Sequence, residues 1–586
     1  MKPKAPWLDV DIVDARRTRR QLERKWRKDP IELNRQLYRT QSILVTSKIM
    51  QAKLAYNRCR IENSSNKDLF RIADELLGKK CSPLLPEHTD KAKLVGDFGH
   101  FFSSKIKNIR EALDKNASRY QPPIANPGIP QLATFEPTSI EEVKKLIMSL
   151  PSKSCTLDPI PTWLLKRCLV PLLPVLVSIV NKSLELGHVP PVFKSAIVKP
   201  LLKKPSLDKD VLSNYRPVSN LSYLSKLIER IVASRLKAHM SEHGLFDADQ
   251  SGYRQFHSTE TVLLKVTDDI LTALDDGKET LLVLLDLSAA FDTVDHDILM
   301  DRLHSCIGLR CQALQWFSSY IHGRSFAVFL NGTSSDSITL EYGVPQGSVL
   351  GPILFTIYTL PLGDLMRSHD VPFKLFADDN QLVNSFWCGD PILGPATVCQ
   401  TEDCIDDVGE WLHENKLALN APKTDFMDIT SSRRSGSTPA IAVGGVSVPS
   451  SECVRDLGVW FDKHMTMESH IGRVCKSAGF ALHQIGRLRK FLDRTSAERL
   501  VNALIFSRLD GNNGLLFGLP EKTIARLQRI QNAAARMVCR KRKRDHITSS
   551  LKSLHWLPVK SRIDFKILLI CYKALHGFAP HNTLHK

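Results

Sequence analysis

The sequence predicts an α+β protein. From Glu136 to about residue 460 short apolar strands alternate with helices, charged helical stretches flank that segment on both sides, and "SFAVFLNGTSSDSITLEYGV" (325–344) sets two apolar-rich pieces around a Gly/Ser turn, a hairpin signal. With 586 residues, 43% of them apolar, the chain can bury a large core, and nothing in its composition suggests wholesale disorder. The formal net charge of +18 and a pI near 9.3 favour a polyanionic partner, nucleic acid before an anionic membrane surface. The longest apolar run, "CLVPLLPVLVSIV" (168–180), is too short to span a bilayer and holds two prolines, so a soluble protein without a membrane partner is expected.

Residues 1–120 read as charged helices. "DARRTRRQLERKWRK" (14–28) is strongly basic with few apolar positions, and is either a solvated helix or one that contacts phosphates. "QPPIANPGIPQ" (121–131) is a proline-rich linker. In "EPTSIEEVKKLIMSL", Ser139 and Glu142 have capping-box spacing and Val143, Leu146, Ile147 and Leu150 form one helical face. "LLVLL" (281–285) is a short apolar run ending in Asp286, as a buried strand would be. After residue 465 the pattern turns helical, and "EKTIARLQRIQNAAARMVCRKRKRD" ends in five consecutive basic residues, Arg540 to Arg544. The 13 cysteines form no C-x-x-C pair and lack histidine partners at zinc-site spacing, and the N-terminus lacks a signal-peptide apolar core. A reduced intracellular protein, nuclear and cytoplasmic and not secreted, is expected.

Two stretches carry the chemistry. "LLVLLDLSAAFDTVDH" places Asp286 at the end of a buried strand, and "KLFADDNQLV" (374–383) places Asp378 and Asp379 in a tight strand–turn–strand. If those strands pair, three carboxylates meet at one sheet edge. Adjacent carboxylates between apolar residues repel, and divalent cations would relieve them: Mg²⁺ takes hard oxygen ligands and leaves positions for phosphate and water. A lone Asp-Asp in a turn is otherwise an ordinary solvated turn or cap.

"LDLSAAFDTVDH", "GVPQGSVLGPILF" (343–355) and "FADDN" (376–380), in this order and at these separations, resemble three successive core motifs of reverse transcriptases. More narrowly the chain resembles LINE-type (non-LTR) retrotransposon reverse transcriptases of the jockey-like group. "NYRPVSNLSYLSKLIERIV" (214–232), "DQSGYRQFHST" (249–259), "NKLALNAPKTDFM" (415–427) and "DLGVWFD" (456–462) support this.

The resemblance implies a right-hand polymerase of fingers, palm and thumb, with an antiparallel palm sheet and helical N- and C-terminal regions. It divides the chain into a basic helical region and linker (1–130), a reverse transcriptase domain of fingers and palm (183–458), and a thumb with a helical C-terminal region (459–586). It implies an RNA-directed DNA polymerase using two Mg²⁺ ions, with Mn²⁺ as a substitute, and taking an RNA template, a DNA primer or nicked target DNA, and dNTPs. Asp286, Asp378 and Asp379 would be the catalytic metal ligands, joined by the backbone carbonyl of Leu287.

Phe291 would lie beneath the deoxyribose and exclude a 2′-hydroxyl, or else pack in the core. Gln346 and Gly347 of "GVPQGS" would line the nucleotide, or only shape a turn. Lys203, Arg216 and Arg254 would hold the triphosphate, with Lys199 and Lys204 as alternatives to Lys203. Lys423 would protonate departing pyrophosphate, or form a plain surface salt bridge. Asp292 and Asp295 are expected to cap the following helix.

The chain departs from the family at Asn380, where many relatives have threonine, at "CTLDPIP" (155–161) and at "SRLDGNNGLLFGLP". It shows no apurinic-type endonuclease segment, which suggests a truncated copy. Two rival readings remain open: a catalytically inactive nucleic-acid-binding remnant, and a two-metal nuclease.

Overall fold

Two sheets organise the part of the chain that carries the three core motifs. The structure, a computed structural model, describes residues 5–77, 85–88, 90–115, 120, 128–431 and 438–580. The proline-rich linker lies outside these residues as far as residue 127. Compactness divides the chain into two units that do not follow its linear order. One comprises residues 1–81, 459–461 and 466–576; the other comprises 82–458, 462–465 and 577–586. The stretch 1–130, expected as one region, is therefore split near residue 81.

In the first unit, helices α1 (Val10–Lys28) and α2 (Glu32–Glu62) form a hairpin. Trp26 stacks on Tyr38 with ring centroids 5.5 Å apart, and the Gln41 amide donates to the Ala15 carbonyl at 3.0 Å. Helix α1 buries only Ile12 and Ala15, which leaves its arginines at the surface. Helix α3 (Asn66–Leu76) follows. Later helices complete the unit: Asn57 of α2 donates to the Phe491 carbonyl at 3.1 Å, and Arg499 donates to the Glu62 carbonyl at 2.8 Å. The residues from Lys541 to Arg544 are exposed.

In the second unit, α4 (Lys91–Lys115) lies on a five-stranded sheet. Its strands are β1 (Ser195–Leu202), β2 (Tyr215–Asn220), β5 (Arg324–Leu330), β6 (Thr333–Ser334) and β7 (Ile338–Leu340). The expected hairpin is present, with β5 pairing antiparallel to both β6 and β7, while β1 pairs parallel to β5. Phe98 and Phe102 of α4 pack on Val198, Tyr215 and Val328. Helix α5 (Ile140–Ser149) starts at Ser139, whose hydroxyl accepts the Glu142 N–H at 3.1 Å. The reciprocal half of the capping box is not made; the Glu142 carboxylate is taken by Thr138 and Arg235 instead.

The second sheet has four antiparallel strands in the order β11–β3–β9–β8, formed by β3 (Lys278–Leu285), β8 (Phe373–Phe376), β9 (Asp379–Trp387) and β11 (Asp425–Ile429). β3 is buried on both faces, which suits its unbroken apolar run. β4 (Leu287–Ser288) and β10 (Ala418–Leu419) form a short ladder beside it. Helices pack behind and bury Trp316, Phe317, Phe355 and Tyr358. No helix among the described residues is long and apolar enough to cross a membrane.

Candidate active site

Register brings the acidic residues together. β3 pairs Leu285 with Asn380, and β8 pairs Phe376 with Asp379, so Asp286, one residue beyond β3, comes opposite Asp379. Ala377 and Asp378 form the two-residue turn between β8 and β9. Burial, then the charge of Asp286, raises the Asp378 carboxyl above its ordinary range. Burial followed by the charges of Asp378 and Asp286 pushes Asp379 up to about 6, although that residue keeps an exposed edge. The three carboxylates thus sense one another, as the two motifs predict.

Asp286 is held from its other side. The Asn420 amide donates to its carboxylate at 2.9 Å, the Asn420 backbone N–H donates to its carbonyl at 2.8 Å, and Lys423 Nζ stands 3.4 Å from Oδ2. Lys423 is thereby paired with Asp286 itself. Leu287 is buried in β4. Asp425 is raised by burial and then by Asp286, while Asp456, 3% exposed, is pushed up to about 7 by burial and then by Asp379. Gln381 donates to Asp456 at 2.8 Å. These groups line a cavity of about 110 Å³ with Asn380 and Arg455.

The donor chemistry of this cluster fits a hard divalent cation: Asp286, Asp378 and Asp379 offer only oxygen, and their mutual repulsion is what such an ion relieves. Among the described residues, no three acidic, histidine or cysteine side chains are drawn together closely enough to hold one as they stand.

The Asp378 turn is strained and clamped. Ala377 has φ +61°, a conformation that costs an L-residue roughly 1–2 kcal/mol. Gln250, buried and remote in sequence, accepts the N–H of Ala377 at 2.9 Å and of Gly252 at 2.7 Å. Ser251 N–H donates to the Leu375 carbonyl at 2.9 Å, docking "DQSG" along β8.

The glycine-rich loop is bound on two sides. Gly343 N–H donates to the Val294 carbonyl at 2.7 Å and Val344 N–H to the Phe291 carbonyl at 2.9 Å, while the Gln346 carbonyl accepts from Ser219 at 2.9 Å. Gly347 has φ +108°, and a Cβ there would meet the Ser219 carbonyl at 2.7 Å. Phe291 is partly buried and stacks on Phe355 at 4.6 Å.

Asp295 caps the helix His296–Ser305, accepting from Asp297 and Ile298, and pairs with Arg110 at 2.7 Å. Asp292, expected as a second cap, does not act as one; its carboxylate accepts from the Gln346 amide at 2.7 Å. Burial pushes that carboxyl up to about 6, against the opposing pull of Gln346 and Lys105.

This shift has a consequence for stability. A carboxyl whose pKa rises on folding makes the fold lose stability as pH climbs from about 4 through about 6, and the loss persists above. Asp292→Asn, whose carbonyl can still accept the Gln346 bond, should therefore be more stable than the parent chain at pH 7.5 by about 1–3 kcal/mol and equal to it near pH 4. Melting curves across that range check it; a constant difference at all pH values would contradict it.

The remaining residues are placed unequally. Lys203 donates to the Ser213 carbonyl at 2.9 Å, and burial, then the charges of Lys105 and Lys423, lowers its ammonium below the usual range. Lys105 of α4, absent from the sequence reading, thus joins a basic rim with Lys203 and Lys423. Arg216 is exposed on β2. Arg254 is turned into its own loop, donating to the Asp247 carbonyl at 2.9 Å and lying over Phe246.

Residues 202–461 match the sequence pattern of the family described as reverse transcriptase (RNA-dependent DNA polymerase). The chain is 29% identical over 454 residues to the probable RNA-directed DNA polymerase from transposon BS of Drosophila melanogaster, covering 75% of this chain and 48% of that protein. It is 26% identical over 557 residues to the corresponding X-element protein of the same species, covering 90% and 58%. It is 30% identical over 348 residues to the RNA-directed DNA polymerase from mobile element jockey of Drosophila funebris, covering 57% and 36%. The chain therefore spans about a third to three fifths of the length of these relatives. An apo telomerase from Candida tropicalis, truncated from its C-terminal domain, aligns with a TM-score of 0.31 at 14% identity, covering 44% of this chain and 54% of that one, a likeness too low to carry an argument.

Proposed function

Residues 202–461 are a reverse transcriptase domain of the jockey-like non-LTR retrotransposon kind, and from that premise we propose that the chain is an RNA-directed DNA polymerase that extends a DNA primer 3′-hydroxyl, or nicked target DNA, along an RNA template with dNTPs. The observation that carries this reading is the register that sets Asp286 opposite Asp379, beside the Asp378 turn. In this reading the four-stranded sheet is the palm, the five-stranded sheet belongs to the fingers, and the helices beyond residue 466 form the thumb.

Asp286, Asp378, Asp379 and the carbonyl of Leu287 would hold Mg²⁺. When bound, the metal supplies positive charge to the attacking and leaving oxygens of phosphoryl transfer. The other side chains orient and select. Asn420 fixes the Asp286 carboxylate, and Gln250 fixes the turn under Asp378. Lys423 and Lys203, with Lys105, present positive charge to a triphosphate, and Lys423 can give its proton to departing pyrophosphate once released from Asp286. Asp292 holds the Gln346 amide, which orients the loop beside the nucleotide.

Phe291 supports a sugar gate, since its ring is fixed by the stack on Phe355. A 2′-hydroxyl against that ring would lose its hydrogen-bond partners at a cost of about 1–3 kcal/mol, roughly ten- to a hundredfold in selection. Phe291→Val should raise rNTP incorporation relative to dNTP by that order. An unchanged ratio in a variant of normal melting temperature would leave Phe291 as a packing residue only.

The charge of +18 supports broad phosphate contact by α1 and the Arg540–Arg544 run. With on the order of six such contacts, affinity for an RNA–DNA hybrid should fall roughly a thousandfold between about 50 and 200 mM salt. A change of less than about tenfold would contradict that reading.

A further inference from the structure

The glycine-rich loop runs into the helix Gly351–Tyr358, and a carboxylate from a distant part of the chain holds that junction. Glu229 lies in the helix Tyr223–Glu242 and is 1% exposed. Its Oε2 accepts the N–H groups of Val349 at 2.6 Å and Leu350 at 3.2 Å, across 120 and 121 positions. Its Oε1 accepts the Ser225 hydroxyl at 3.3 Å. Leu350, the residue before the helix, has an apolar side chain and cannot cap it, so Glu229 takes the place of a capping side chain. The helix dipole favours a negative group at that end.

The segment leading into the Glu229 helix grips the loop a second time. Ser219 of β2 donates its N–H to the Gln346 carbonyl at 2.9 Å, and its own carbonyl leaves no room for a Cβ at Gly347. Within the loop, the Ser348 N–H donates to the Pro345 carbonyl at 3.0 Å, and the Ser348 hydroxyl accepts the Gly351 N–H at 2.9 Å. The stretch from Pro345 to Gly351 is thus a closed turn, with only Gly347 and Ser348 between Gln346 and Val349. A shift at Val349 and Leu350 is passed on to Gln346.

We propose that Glu229 is a positioning residue for nucleotide selection: its two bonds to the backbone of Val349 and Leu350 hold the turn that presents the Gln346 side chain to the incoming dNTP. This rests on the polymerase reading given above. The rival role is electrostatic. Arg324 is also buried, and its charge reaches Glu229. As a counter-charge to Arg324, Glu229 would matter for its ionisation and not for its reach to the loop.

The two roles rank two conservative variants in opposite order. Glu229→Asp keeps the charge but withdraws it by one methylene, which leaves two buried N–H groups without their acceptor. Glu229→Gln removes the charge and keeps the reach. Its amide oxygen can accept both N–H groups, as Oε2 does. Its NH₂ can donate to the Ser225 hydroxyl, which accepts while donating to the Phe193 carbonyl at 3.2 Å.

The test is primer extension on an RNA template at varied dNTP, with hybrid affinity, melting temperature and hydrogen exchange of residues 343–351 measured on the same preparations. In Glu229→Asp, kcat/KM for dNTP should fall about ten- to a hundredfold, the order that a displacement of about 1 Å costs, with most of the loss in KM. Hybrid affinity should stay at the parent value, and the amides of Val349 and Leu350 should exchange faster. Glu229→Gln should match the parent in all of these. The proposal is overturned if folded Glu229→Asp keeps the parent KM and exchange, or if Glu229→Gln has the higher KM for dNTP, the order a counter-charge would give. If one variant does not fold, the other decides by its KM against the parent. A parent chain that extends no primer overturns the polymerase reading and this proposal with it. A parent that extends normally beside an unchanged Glu229→Asp overturns this proposal alone.

Discussion

Asp378→Asn should extend a primer at least about a thousandfold more slowly than the parent chain, and should melt no lower in metal-free buffer. The first effect follows from losing a ligand to a metal that stabilises the transition state by several kcal/mol, at 1.36 kcal/mol per decade of rate. The second follows from the folded chain itself. Burial and the charge of Asp286 disfavour the ionised Asp378 carboxylate, so the native residue costs the fold stability at neutral pH. The amide removes that cost, while the turn stays held through the backbone of Ala377 and the side chain of Gln250. Asp379→Asn should behave alike, since its carboxyl is pushed up to about 6 by burial and both neighbours. Extension rates measured with Mg²⁺, alongside melting curves in chelator, check both effects. A variant that melts well below the parent would place the carboxylate among the groups that build the fold, and near-normal extension would remove it from the chemistry.

Gly252→Ala is the second large effect, and it acts without touching a charged residue. A Cβ at this position would lie 2.4 Å from the Ala377 backbone nitrogen and 2.9 Å from Oε1 of the Gln250 side chain. The first contact is with backbone, which cannot swing aside as a flexible side chain can. The turn carrying Asp378 must move, and a displacement of about 1 Å in a catalytic group can cost roughly a hundredfold in rate. The expected result is a loss of that order in extension with hybrid binding unchanged. Normal extension would show that the segment 249–252 does not set the position of the turn.

What the sequence disclosed and what it concealed differ in range. Asp286 and the Asp378–Asp379 pair were legible because each ends or interrupts an apolar run, a local pattern that strand pairing then brings together. The hairpin of β5 with β6 and β7, and the cap at Ser139, are local in the same sense. The residues that hold the site are not. Gln250 reaches Ala377 across 127 positions, Asn420 reaches Asp286 across 134, and Gln381 reaches Asp456 across 75. Spacing carries no trace of such contacts. Asp292 misled for a related reason: it lies near a helix start, but Asp295 takes the cap, which leaves Asp292 to face Gln346, 54 residues away. Lys105 lay in a stretch that read only as charged helices, and α4 carries it over the sheet because Phe98 and Phe102 bury against Val198 and Val328.

The central claim is that this chain polymerises DNA on RNA through Asp286, Asp378 and Asp379. The most direct measurement is extension of a labelled DNA primer annealed to an RNA template, by the purified chain with Mg²⁺ and dNTPs, run beside Asp378→Asn. The account predicts full-length complementary DNA from the parent chain, none above background from the variant, and equal affinity of the two for the hybrid. Tight hybrid binding by the parent with no extension would contradict it and leave a nucleic-acid-binding remnant, and cleavage of the strands in place of extension would contradict it in favour of a nuclease.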